Sequence, residues 1–130
     1  MLTEAEVIRI MREHLEGQFP RTCSVCHRRF ATLRDYAVTT QPVGIPICFD
    51  AEVENWHPVS STGAMTYNQC PCGNIMALNS NGMPLALYKS LLGWARQKME
   101  NQNVTHRQLL IELREKMIQE VLGDPSRPVR

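Results

Sequence analysis

Apolar positions along the chain fall into three blocks with different periods. In the first, Val7, Ile8, Ile10, Met11 and Leu15 recur at near-helical spacing. Thr3 and Glu6 form a T-x-x-E capping box ahead of them, and Gly17 and Pro20 follow. This predicts a helix over 4–16 within an N-terminal segment 1–20. Residues 21–80 lose that period. Short β-prone pieces take its place: "YAVTT" at 36–40, "IPICF" at 45–49, "AMTYNQ" at 64–69 and "NIMALN" at 74–79. The last two, with "CPCG" between them, read as strand, tight turn, strand.

From residue 84 the helical period returns. Pro84 suits a first helical turn, and Leu85, Leu87, Tyr88, Leu91, Leu92, Trp94, Ala95 and Met99 make a broad apolar face. "ENQN" at 100–103 interrupts it. Thr105 with Gln108 repeats the capping-box pattern, and Leu109, Leu110, Leu113, Met117, Ile118, Val121 and Leu122 make a second face, closed by Gly123 and Pro125. The short connection predicts an antiparallel helical hairpin over 84–122, followed by a mobile tail, 123–130. The class expected is α+β: an N-terminal helix, a small β-rich module over 21–80 and a helical hairpin, packed as a single domain over 1–130.

Composition narrows the function classes. Apolar residues make up 43%, which argues against general disorder, and no apolar run approaches the ~20 residues of a membrane span. The first residues carry Glu4, Glu6, Arg9, Arg12 and Glu13, so they lack the pattern of a signal peptide; with Met1 at the start, a cytoplasmic protein is expected. Net charge is +1, too little for a global attraction to nucleic acid or anionic lipid. Charge is uneven, however. Residues 37–80 hold no Lys or Arg, whereas Arg21, Arg28, Arg29 and Arg34 surround the first cysteine pair.

The chemistry lies in the cysteines, at 23, 26, 48, 70 and 72. An odd number fits a closed disulfide framework poorly, and paired cysteines in a reducing compartment more often hold metal or do redox work. Cys23-x-x-Cys26 directs two sulfurs to one point, and Cys70 and Cys72, at a hairpin tip with Gly73 after them, supply two more. Four thiolates make a tetrahedral donor set for one structural Zn²⁺, with Cys23, Cys26, Cys70 and Cys72 as ligands. Cys48, in "IPICF", is expected to be a buried small hydrophobe.

"CSVCHRRF" and "CPCG" resemble the two knuckles of a zinc ribbon or related zinc-knuckle module, over residues 21–79. The second knuckle departs from the usual pattern, with one residue between its cysteines in place of two. A competing reading comes from Cys23-Ser24-Val25-Cys26-His27, which also matches the C-x-x-C-H attachment motif of c-type haem. That reading needs export and leaves Cys70 and Cys72 without a role. A redox switch of the paired cysteines is a further alternative.

His14 and His106 are expected on helix surfaces, His57 in a loop beside Trp56, and Met65, Met76, Met83, Met99 and Met117 as core filler. The P-C-x-x-C that a deaminase needs is absent, since Pro71-Cys72 has no cysteine three residues later, and no G-x-S-x-G, P-loop, G-x-G-x-x-G or H-E-x-x-H pattern occurs, so nothing positive argues for an enzyme. The expected function is a non-catalytic zinc-binding protein that acts as a protein-interaction or regulatory module. The alternative is a nucleic-acid-binding zinc ribbon that uses Arg21, Arg28, Arg29 and Arg34. Leu87, Leu91, Trp94, Leu110, Leu113 and Met117 exceed what a thin module covers easily. They point to a homodimer or protein partner at the hairpin, unless Val7, Ile8 and Met11 complete a three-helix packing.

Overall fold

The computed structural model describes residues 2–123, and the expected tail lies almost wholly outside them. Helix α1 spans Glu4–Glu16, and its capping box is formed in both directions between Thr3 and Glu6. A two-stranded sheet follows, β1 (Arg21–Thr22) against β2 (Arg29–Phe30), too short to leave a periodic trace in the sequence. Then come α2 (Leu33–Thr39), β3 (Gln41–Cys48), the single-turn α3 (Phe49–Glu52), β4 (Ala64–Gln69) and β5 (Ile75–Asn79). The chain continues in α4 (Leu85–Gln102) and α5 (His106–Gly123). The class is α+β.

One predicted strand is a helix. "YAVTT" lies mainly in α2, which starts where the Thr32 hydroxyl accepts the Asp35 N–H at 3.1 Å. The Asp35 carboxylate in turn accepts the Ala31 N–H at 3.1 Å. These caps outweigh the β propensity of Tyr, Val and Thr. The "ENQN" interruption is also displaced. α4 runs on through Gln102, and Asn103, left-handed at φ 52°, ends it.

The larger sheet is antiparallel in the order β3-β4-β5, with β4 central. β3 tolerates Pro42 and Pro46 because it is an edge strand. β4 and β5 form a hairpin in which Gln69 faces Ile75 at the tip. α5 packs against α1, α2, α4 and β3, so it is the element around which the rest is arranged. Its Leu109, Leu113, Met117 and Val121, one turn apart, are buried with Val7 and Ile8 of α1, Phe30, Leu33, Tyr36, Met76 and Leu78. A second cluster joins Cys48, Ala51, Met83, Tyr88 and Leu92. Arg12, buried on α1, ties Glu16 at 3.0 Å and Glu120 of α5 at 3.2 Å.

The six hairpin residues expected to meet a partner sit within these clusters. Leu113 and Met117 are buried, while Leu87, Leu91, Trp94 and Leu110 are half-buried against them. Val7 and Ile8 share the cluster of Leu113 and Met117, and Met11 packs against it. No helix among the described residues is long and apolar enough to cross a membrane.

Candidate metal centre

Both cysteine pairs sit at hairpin tips. In the first, between β1 and β2, the Cys23 N–H donates to the Arg28 carbonyl at 2.9 Å, and the His27 N–H donates to the Cys23 carbonyl at 2.9 Å. His27 takes the left-handed conformation, φ 64°, that closes this turn. In the second, between β4 and β5, the Cys70 N–H donates to the Asn74 carbonyl at 2.8 Å, and the Gly73 N–H donates to the Cys70 carbonyl at 2.8 Å. Gly73 has φ 98°. His27 and Gly73 each directly follow the second cysteine of their pair. The missing residue of the second knuckle is thus absorbed by a tighter turn, whose closing bond spans three residues where the first spans four. Gly73 suits that turn because a side chain at its φ would be strained.

The two tips bring four sulfurs together. Cys23 Sγ lies 3.7 Å from Cys72 Sγ, and Cys26 Sγ lies 3.7 Å from Cys70 Sγ. All four are within 4.8 Å of one another. These separations are far beyond the ~2.05 Å of a disulfide, and the thiols are free. The four cysteines form a site that can coordinate a metal ion. Cys23 and Cys70 are buried on the inner side, whereas Cys26 and Cys72 face outward.

The surroundings of Cys23 favour a thiolate. The backbone N–H groups of Cys26 and then Val25 point at its sulfur and pull its pKa down to about 6 against the opposing effect of burial. The Asn74 side-chain amide reinforces this, donating to Cys23 Sγ at 3.4 Å. At Cys70 the Cys72 N–H acts in the same direction, but burial and three neighbouring thiols prevail and push it up to about 11. Four thiols this close cannot all ionise without a cation between them.

The arginines expected to form a patch separate into distinct roles. Arg28 and Arg29 are exposed. Arg21 instead reaches back to the Ala77 carbonyl of β5 at 2.5 Å, which ties the small sheet to the larger one. Arg34 is half-buried, with its Nε buried and unpartnered. Cys48 is buried away from the cluster, 3.6 Å from the Tyr88 hydroxyl. Exposed Val25 and Ile75, on the first tip and beside the second, went unnoticed in the sequence because their exposure depends on how the turns are oriented. No family model, curated protein or solved structure matches the chain.

Proposed function

We propose that the chain is a non-catalytic zinc protein, and that its metal fixes a rigid surface for protein interaction or regulation. One observation carries the zinc reading: the two 3.7 Å sulfur–sulfur separations. A tetrahedron with Zn–S bonds of ~2.3 Å has edges of about 3.8 Å. Four sulfur donors leave no position for water or substrate, so such a metal is structural. Convergence of all four sulfurs also gives Cys70 and Cys72 the role that haem attachment denies them.

The interaction reading is supported by what the tips expose. Val25 and Ile75 are 61% and 47% exposed, on hairpins held together by the site, with Arg28 and Arg29 alongside. Exposed apolar residues on two tips, the first followed in sequence by two arginines, suit a protein contact. A tetrathiolate zinc carries two negative charges, so these arginines also balance the site itself, which weakens their case as phosphate contacts.

Elemental analysis of protein purified without added metal tests the assignment: about one zinc per chain is expected. A metal-free protein of undiminished stability, or a Soret band, would overturn it. Binding to single-stranded DNA or RNA that falls steeply with salt would favour the nucleic-acid reading. Sedimentation at micromolar concentration decides self-association, and a dimer that Val25→Asp with Ile75→Asp disperses is the outcome that locates the contact at the tips.

A further inference from the structure

A second candidate site lies among the helices and the larger sheet, and none of the four clustered cysteines borders it. Between α1, α4, α5 and the core face of the larger sheet is a cavity of about 160 Å³. Protein interiors are normally filled, with few voids larger than a water molecule. Half open to solvent, this one has the volume of the ~150 Å³ engineered cavities that take up benzene.

Its lining is unusual in composition. Five of the chain's seven methionines border it: Met11, Met65, Met83, Met99 and Met117. So do both tryptophans, Trp56 and Trp94. Methionine has a flexible, polarisable side chain, and it is favoured where a wall must adapt to what it binds. Water is a poor occupant, because it needs two to four polar partners. The polar side chains at the edge are already engaged. His14 Nε2 meets the Asn79 carbonyl at 3.1 Å, the Tyr88 hydroxyl donates to Asp50 at 2.5 Å, and His106 pairs with Glu52.

Among the described lining residues, one buried side-chain polar atom has no hydrogen-bond partner. Thr66 lines the cavity from β4, and its hydroxyl is buried without a hydrogen-bond partner. A buried hydroxyl left unpaired is costly, and a partner brought by a ligand would remove that cost.

We propose that this cavity binds a small, largely apolar molecule of about single-ring size that carries one hydrogen-bonding group, with Thr66 as the residue that recognises that group. The methionines and tryptophans provide the adaptable apolar wall. The four cysteines of the metal centre do not border this site.

Titration of the full chain, labelled with ¹³C at its methionine methyls, tests this with benzene and phenol as probes. Benzene should shift Met11, Met99 and Met117. Met76, buried in the same core but outside the cavity, should stay in place. Phenol should bind roughly five-fold more tightly than benzene, the gain from one net hydrogen bond. Thr66→Val should abolish that preference and leave benzene binding intact. Ala95→Phe, which fills the cavity, should exclude both probes; if that variant fails to fold, the titration of the unmodified chain decides alone. Methionine methyls unmoved by either probe would overturn the site. A phenol preference that survives Thr66→Val would overturn the recognition by Thr66.

Discussion

Asn74 serves both knuckles at once. Its carbonyl closes the turn around Cys70, and its side-chain amide donates to the sulfur of Cys23 on the other hairpin. Groups that orient and polarise metal ligands are commonly worth 10–100-fold in affinity. Asn74→Ala should therefore weaken metal binding by about that factor while leaving one metal per chain at saturation; competition with a chromogenic chelator measures it. Serine in place of Cys23, Cys26, Cys70 or Cys72 should abolish stoichiometric binding, whereas Cys48→Ser should keep the metal. If Cys48→Ser loses it and Cys72→Ser does not, the ligand set is wrong. The four cysteines were legible in the sequence because a thiol pair announces its chemistry by type and spacing. Asn74 was not, because its role exists only once the second hairpin folds against the first. The same holds for Gly63. A Cβ there would come within 1.9 Å of the Asp50 carboxylate and 2.5 Å of the Tyr88 hydroxyl. Gly63→Ala should force that pair apart and cost about 1–3 kcal/mol, measurable by urea unfolding.

Among the elements, those with a long period or a strict cap were legible, and those decided by tertiary contact were not. α1 and the β4–β5 hairpin follow their patterns closely. α2 did not, since Thr32 and Asp35 cap a segment whose side chains favour strand. α3 is one turn long and owes its place to partners on α5. There Glu52 accepts from Arg107 Nε and Nη2, at 2.8 and 2.7 Å, and pairs with His106. The Arg107 guanidinium first, then His106, hold the Glu52 carboxyl at about 2, below its ordinary 4.5. A carboxyl whose pKa falls on folding stabilises the fold while it is ionised in both states. That contribution is complete above the ordinary value of 4.5 and is lost as pH falls through about 2. The melting temperature of the natural chain should thus exceed that of Glu52→Gln at pH 5. The margin should shrink between pH 4.5 and 2. A margin independent of pH over that range would remove the carboxylate from the account.

At the scale of the molecule, the metal centre and the helical core are continuous. A metal-binding module with little core of its own would unfold over residues 21–80 alone on losing its metal. The packing argues otherwise. Cys23 and Cys70 are buried in the same cluster as Val7 and Ile8 of α1 and Leu109, Leu113, Met117 and Val121 of α5. Phe30 and Tyr36, close to the first knuckle, stack edge to face at 5.5 Å, and Tyr36 meets Phe19 at the same distance. Without a cation, four neighbouring thiols cannot all ionise, the tips lose their tether, and this shared cluster loses one wall. Metal removal should therefore destabilise the whole chain in a single transition. Chelator added before thermal unfolding should lower the midpoint equally by far-ultraviolet circular dichroism, which follows α4 and α5, and by fluorescence of Trp94, with Trp56 replaced by Phe. Two separated transitions, with the helices melting at the midpoint of the metal-loaded chain, would show instead that the module unfolds independently of the core it touches.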